Sequence, residues 1–343
     1  MPKDKLKILV TGSAGFIGMH TALRLAKEGH TVLGLDNLNT YYSVDLKLAR
    51  LREQGIDTSQ VQYNKQLEGH SGIRFVQLDL VDEAEIEALF EKEQFTHVIH
   101  LAAQAGVRYS IENPHAYIDS NVKGFLNILE ASRRNKIQHL VYASSSSVYG
   151  LNDTVPFKES DPTETQVSLY AATKKANEAI AHSYAAVHGL PLTGLRFFTV
   201  YGPWGRPDMA LFKFTKNILA DKPIDVYNEG NLSRDFTYID DIVEGMSRIV
   251  DHVPTGKIPY TIYNIGKGEP IKLMDFIQCV EVAVGKKAKL NLLPMQPGDV
   301  TQTWASTEAL KEQSNYKPMI SLEDGVKHFV SWYREAYTKR FSS

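Results

Sequence analysis

Tyr170-Ala171-Ala172-Thr173-Lys174 sets a phenol and an ammonium four positions apart, so on a helix the two share one face. A free tyrosine has a pKa of ~10 and is a poor base at neutral pH. A neighbouring cation favours its phenolate and brings it toward the working range. The same spacing also occurs on ordinary solvated helix faces, so the pair gains weight only from its surroundings. Upstream, Ser144-Ser145-Ser146-Ser147-Val148-Tyr149-Gly150 follows an apolar run. A hydroxyl there can hold a reacting alcohol and relay its proton to Tyr170. Four serines also make a polar turn, and one or two of them suffice for the chemistry.

A second constellation lies near the start. Gly12-Ser13-Ala14-Gly15-Phe16-Ile17-Gly18 follows Ile8-Leu9-Val10 and opens a helical pattern. Backbone N–H groups in such a turn can approach a pyrophosphate at a helix N-terminus, where the dipole favours anions. The spacing is G-x-x-G-x-x-G rather than the more familiar G-x-G-x-x-G. Asp36 ends the next apolar run, where a carboxylate accepts from both ribose hydroxyls of an adenosine. It would repel a 2′-phosphate, and no Arg stands beside it in sequence, so NAD is favoured over NADP. The other reading of Asp36 is a solvated strand end. Asp79 ends a third run and can accept from the adenine amino group.

These residues need a scaffold, and the hydrophobic pattern supplies one. Ile8–Val10, Thr31–Leu35, Arg74–Leu78, His97–Leu101 and His139–Ala143 are short, continuous apolar runs, as strands buried on both faces require. Helical patterns at Ile17–Glu28, Glu83–Glu91, Ile118–Asn135 and Ser168–His188 alternate with them. This order predicts a Rossmann-like, doubly wound parallel α/β sheet with right-handed crossovers. The stretch from Asn37 to Gly72 is too long for a plain loop; Tyr42–Gln54 is amphipathic and expected to be helical. We expect a dinucleotide-binding domain over 1–195 and a smaller C-terminal α/β substrate-binding lobe over 196–343, with segments near 235–266 able to return to the first domain.

Bulk properties exclude several classes. A net charge of -2 over 343 residues offers no field for nucleic acid. The single Cys279 forms no internal disulfide and suggests a reducing compartment. Met1–Lys7 is polar, and no apolar run reaches the ~20 residues a membrane span needs, so a soluble cytoplasmic protein is expected. His97 and His100 sit on a strand and are expected to be structural; no cluster has metal-ligand spacing, so no metal is expected.

Gly12-x-x-Gly15-x-x-Gly18, Asp36, the serine run and Tyr170-x-x-x-Lys174, in this order, resemble the extended short-chain dehydrogenase/reductase family over nearly the whole chain. The resemblance implies NAD as a held cofactor, nucleotide-linked sugars as substrates, and homodimers built through a bundle of two helices from each copy. It makes Ser145 the catalytic serine with Ser146 as a helper. It also implies that Phe16, Ile17, Asn37 and Leu80, then Leu101, Ala102, Ala103 and Gln104, then Asn121 and Phe197, line the cofactor site along with Tyr170 and Lys174.

Family reactions begin alike: Tyr170 takes the proton of the sugar 4-hydroxyl while C4 gives up hydride. The 4-keto sugar is then re-reduced on its other face, dehydrated, or decarboxylated. Dehydratases carry Asp-Glu before Val-Tyr-Gly and decarboxylases a Glu; this chain has Ser146-Ser147, which argues for epimerisation. The stretch Arg196-Phe197-Phe198-Thr199-Val200-Tyr201-Gly202-Pro203-Trp204-Gly205-Arg206-Pro207-Asp208-Met209-Ala210 is similar to that of family members epimerising a UDP-sugar acid, UDP-glucuronate to UDP-galacturonate. So is Asn39-Thr40-Tyr41-Tyr42. Arg206 would then grip the sugar carboxylate bidentately, with Thr199 donating a hydroxyl, and hold it away from the orientation that releases CO₂. The alternative for Arg206 is a surface loop. Arg234 stands where the family binds the diphosphate, and Asp299 where it binds the uridine ribose. Gln296 replaces an Arg found in UDP-galactose 4-epimerases, so Lys213 is a substitute phosphate contact. Tyr227 lines the uracil pocket or packs in the core. The rivals are epimerisation of a neutral or N-acetylated UDP-hexose, decarboxylation of UDP-glucuronate, and, from another class, a non-catalytic NAD sensor.

Overall fold

The apolar runs become strands. A computed structural model describes residues 5–70, 72–295 and 300–341. Along the chain come β1 (Lys7–Thr11), α1 (Phe16–Lys27), β2 (Thr31–Asp36), α2 (Val44–Glu53), β3 (Gln66–Glu68), β4 (Ile73–Gln77), α3 (Glu83–Glu93) and β5 (His97–His100). Two short helices, α4 (Tyr109–Glu112) and α5 (Pro114–Tyr117), lead into a π-helical turn (Ile118–Lys123) and α6 (Gly124–Arg134). Then follow β6 (His139–Ser145), a 3₁₀ turn (Ser146–Tyr149), α7 (Leu169–His188) and β7 (Leu192–Phe197). Helix boundaries have local causes. The Asp82 side chain accepts from the Glu85 N–H to start α3, and Ser168 does the same for Ala171 at α7. Gly189, at φ 65°, closes α7 in the left-handed conformation that glycine adopts without strain.

The second half holds β8 (Thr199–Tyr201), α8 (Ala210–Leu219), β9 (Pro223–Tyr227), β10 (Ser233–Arg234), β11 (Phe236–Tyr238), α9 (Ile239–Val250) and β12 (Tyr260–Ile265). It continues with β13 (Ile271–Lys272), α10 (Leu273–Val284), β14 (Lys289–Leu293), β15 (Gln302–Thr303), α11 (Glu308–Ser314) and α12 (Leu322–Trp332). Two compact units result: 1–152, 162–196 and 243–263 in one; 153–161, 197–242 and 264–343 in the other.

The first unit is built on an eight-stranded sheet of order β12-β7-β6-β5-β1-β2-β4-β3. β1 pairs in parallel with both β2 and β5, so strand order reverses at the carboxyl ends of β1 and β5, where such sheets bind ligands. The doubly wound parallel sheet carries an antiparallel edge strand, because β3 runs antiparallel to β4. The chain reverses between them through His70, whose carbonyl accepts from Ile73, giving an edge hairpin inside the long insertion. One correction concerns Ile118–Asn135, which is a π turn followed by an α-helix rather than one helix. Leu9, Leu33, Val98, Leu140 and Leu192 from five strands pack with Phe90, Phe125 and Ile128 from the helices.

In the second unit, short strand pairs (β8 with β11, β9 with β14) frame an aromatic core. Phe236 stacks on Phe276 at 4.0 Å, and Trp204 meets Trp332 at 5.3 Å.

Candidate active site

Gly12 leaves β1 at φ +73°, and a Cβ there would come within 2.9 Å of the Ala102 backbone nitrogen beyond β5. A Cβ on Gly18 would sit 2.1 Å from the Gly12 carbonyl oxygen. Glycine is therefore required for the turn to fold under the first turn of α1. Gly15 precedes α1 without any side-chain cap, so Phe16, Ile17 and their neighbours present backbone N–H groups at a helix N-terminus. Asp36 is buried, not a solvated strand end: its Oδ2 accepts from the Ala14 N–H at 3.2 Å and its Oδ1 from Leu38 at 2.8 Å. A carboxylate oxygen can accept more than one bond, so Asp36 can brace the turn and still receive ribose hydroxyls. A side-chain-free turn, an uncapped helix and a carboxylate at the end of β2 fit an adenine dinucleotide.

The same region holds cations that the sequence did not place. Lys47 and Arg50 of α2 are buried here. Arg50 donates to the Ala14 carbonyl and to the Tyr42 hydroxyl, and Lys47 to the Asn39 backbone and side chain. Burial pushes the Lys47 ammonium down, and the charge of Asp36 works against that. The sequence shows no cation beside Asp36; folding of the insertion brings the charge of Lys47 to it and sets Arg50 on the Ala14 carbonyl. Asp79 accepts from Asn37 at 3.0 Å and from the Val81 N–H at 3.1 Å. Leu80 is buried, its carbonyl held by Asn127.

Beyond β5, the Thr11 hydroxyl accepts from the N–H groups of Leu101 and Ala102, each at 3.1 Å. Ala103 follows, and the Gln104 N–H donates to the Asn121 side chain at 2.7 Å. The Asn121 amide donates in turn to the Gln104 carbonyl and to the Thr173 hydroxyl, both at 3.0 Å. The Asn121 side chain thus ties the segment after β5 to α7. Thr11 also bonds His100 at 2.9 Å, and burial, with the nearby Lys174 charge, pushes that imidazole down to about 3. His100 is neutral and structural.

Ser145 ends β6 and is buried; its hydroxyl accepts from the Ser147 N–H at 3.2 Å, turning the chain into the 3₁₀ segment that Ser146 begins. Tyr170 lies in the first turn of α7, its ring meeting the Tyr117 ring edge-on at 6.2 Å. Lys174, one turn on, is buried and donates to the Ala143 carbonyl at 2.8 Å. The chemical end of α7 is thus pinned two residues before Ser145. Burial brings the Lys174 ammonium down to about 8, so it remains charged at neutral pH. Beneath the turn, Arg196 forks onto Glu178 at 2.8 and 2.9 Å, Glu178 accepts from Ser144 at 2.7 Å, and Arg196 donates to the Tyr149 hydroxyl at 3.0 Å. Nothing in the sequence pattern singles out this network, because its members meet only through tertiary packing.

In the second unit, Thr199 and Arg206 line one cavity with Tyr201, Met209, Phe212 and Phe276. Phe197 is buried at the end of β7. Arg206 is engaged by Asp208, its Nε at 3.0 Å and its Nη2 at 2.5 Å from the two carboxylate oxygens. Lys213 is exposed on α8, and Tyr227 ends β9 half-buried. Arg234 donates to the carbonyls of Ser233 and Thr301 across its strand edge. Asp299 and Gln296 lie outside the described residues. Among the described residues, no cluster of His, Cys, Asp and Glu has metal-binding geometry, and no helix is long and apolar enough to cross a membrane.

A model of the NAD dependent epimerase/dehydratase family matches residues 8–266. Protein CapI of Staphylococcus aureus is 52% identical, over 97% of this chain and 100% of that protein. UDP-glucuronate 4-epimerase 1 of Arabidopsis thaliana is 47% identical, over 97% of this chain and 77% of that protein. Among solved structures, UDP-glucuronic acid 4-epimerase from Bacillus cereus, in complex with UDP-glucuronic acid and NAD, matches with a TM-score of 0.86 at 32% identity, over 97% of this chain and 100% of the other.

Proposed function

Because this chain belongs to the NAD dependent epimerase/dehydratase family, we propose that it interconverts UDP-glucuronate and UDP-galacturonate by NAD-dependent epimerisation at C4. NAD, when bound, accepts the hydride of the sugar C4 and returns it. Residues 1–152, 162–196 and 243–263 form the NAD-binding unit, and the remainder binds the UDP-sugar. Gly12, Gly15 and Gly18 admit the pyrophosphate to the start of α1, and Asp36 receives the adenosine ribose. Ser145 holds the 4-hydroxyl, and Tyr170 removes its proton and gives it back after the sugar has presented its other face. Lys174, charged and fixed to Ala143, favours the Tyr170 phenolate. Arg206 and Thr199 take the sugar carboxylate, Arg234 and Lys213 the diphosphate, and Tyr227 and Asp299 the uridine.

The observation that carries this reading is the uncharged Ser146–Ser147 turn beside Tyr170 and Lys174. No acid stands there to move protons at C5 and C6, and Glu178 beneath it is locked by Arg196. Incubation with UDP-glucuronate without added NAD, followed by NMR, should yield UDP-galacturonate. UDP-pentose as the main product would make the protein a decarboxylase, and no turnover of any UDP-sugar would leave a non-catalytic NAD protein. A neutral UDP-hexose is the second reading, favoured by one observation: Arg206 already has a counter-ion in Asp208.

The protein is further proposed to be a cytoplasmic homodimer. Ala172, Ala179, Ser183, Ala186 and Val187 are exposed along α7, and Ile118 and Leu126 are exposed along the helical stretch 118–134. Small residues on one face let two helices approach closely, and the exposed apolar side chains gain by being covered. Light scattering should give twice the chain mass, and Ala179→Arg should reduce it to one chain.

A further inference from the structure

Tyr170, Lys174 and Glu178 recur at intervals of four and lie along one side of α7. Glu178 has no part in the chemistry proposed above. It is nevertheless a buried carboxylate, which a fold keeps only when it is well paired. Its partners come from three neighbouring strands of the sheet, in the order β12-β7-β6. From β6, the Ser144 hydroxyl donates to Oε1 at 2.7 Å. From β7, Arg196 donates through Nε to Oε1 at 2.8 Å and through Nη2 to Oε2 at 2.9 Å. From β12, the Tyr260 hydroxyl donates to the Glu178 backbone carbonyl at 3.1 Å. The Arg196 guanidinium also donates to the Tyr149 hydroxyl at 3.0 Å and lies 4.8 Å from the centre of that ring. Ser144 precedes Ser145, and Tyr149 closes the 3₁₀ turn after it. The segment bearing Ser145 is therefore held on both sides through one carboxylate.

We propose that Glu178 is a positioning residue: by fastening α7 to β6, β7 and β12 at one depth, it holds Tyr170 against the turn that carries Ser145. This rests on the roles proposed above for Tyr170 and Ser145. In that step the Tyr170 phenolate takes the proton of the sugar 4-hydroxyl. The C4–H electron pair leaves with its hydrogen as hydride for the nicotinamide, and C4 becomes a ketone. Tyr170 lies two turns before Glu178, about 12 Å along the helix. A tilt of about 5° moves a point that far away by about 1 Å, and a misplacement of that size can cost on the order of a hundredfold in rate. The distance from the phenol oxygen to the 4-hydroxyl governs the chemical step far more than the binding of UDP or NAD. Loosening α7 should therefore slow the chemistry and spare both affinities.

Glu178→Gln keeps the shape and an acceptor for Ser144 but cannot accept from both Arg196 donors. Single turnovers of NAD-loaded protein with UDP-glucuronate read the chemical step apart from product release. In them the Gln variant should be about thirtyfold slower, while KM and the NAD content per chain stay within about twofold. Ser144→Ala cuts only the tie to β6 and should lower the same rate about threefold. It carries the test if the Gln variant does not fold, which a thermal melt reports. A lower thermal midpoint with an unchanged single-turnover rate would make Glu178 purely structural and overturn the proposal. So would a slower rate matched by lost NAD or a raised KM, which marks a general loosening of the site. Failure of the unaltered protein to convert UDP-glucuronate would instead refute the activity itself, and turnover by Tyr170→Phe would refute the base.

Discussion

Lys174 shows how a single side chain sets a working range. Its ammonium is buried against the Ala143 carbonyl, and burial brings it down to about 8. Its charge is present below that value and lost as pH rises through it. If that charge sustains the Tyr170 phenolate, kcat should fall above about pH 8, and Lys174→Arg, whose guanidinium stays charged, should move the alkaline limb upward. A pH–rate series of the two proteins decides this; an unmoved limb would assign it to another group. Tyr170→Phe should leave no limb to measure, because turnover is lost while nucleotide binding persists.

At the scale of elements, the glycine turn is the most constrained piece. A Cβ at Gly18 would overlap the Gly12 carbonyl, a backbone atom that cannot rotate aside. Gly18→Ala should therefore destabilise the protein by roughly 1–3 kcal/mol, seen as a lower thermal midpoint, and weaken NAD binding. Most elements were legible in the sequence: β1, β2, β5 and β6 are continuous apolar runs, and α7 has both a Ser168 cap and a Gly189 stop. β3 was not, because Gln66-Leu67-Glu68 is too short and polar to give a periodic signal; it exists through its pairing with β4. The site divides similarly. Tyr170 and Lys174 are one turn apart and can be read from spacing. The meeting of Asn121 with Gln104 and Thr173, or of Glu178 with Arg196, depends on strands and helices far apart in the chain. Arg206 and Asp208 lie close in sequence but not on a regular element, so no periodicity marks them as partners.

The molecule as a whole should respond to acid in two stages. Burial first pushes His97 and His139 down to about 4 and His100 to about 3. The unfolded chain takes those protons nearer pH ~6.5, so stability should decline as pH falls from there. Glu93 acts lower. Its hydrogen bond to Arg74, with help from Gln66 and Lys7, holds its carboxyl down to about 2. Its contribution is complete above the ordinary carboxylate range and is lost as pH falls through about 2. Glu93→Gln should cost about 3 kcal/mol at pH 7, with the deficit shrinking toward pH 2. Denaturant titrations at several pH values test this, and a pH-independent deficit would exclude the ionic cause.

The π-helical turn at Ile118–Lys123 carries a consequence for the lineage of this chain. A π turn holds one residue more than an α turn would in its place. Deleting a single residue there would give a more regular helix, yet would rotate everything on one side of the cut by about 100°. Asn121 could not then face both Gln104 and Thr173. A change that improves the helix would unfasten the segment after β5 from the helix that bears Tyr170. An insertion of this kind, once acquired, is hard to lose, and gap positions among related chains should avoid this turn.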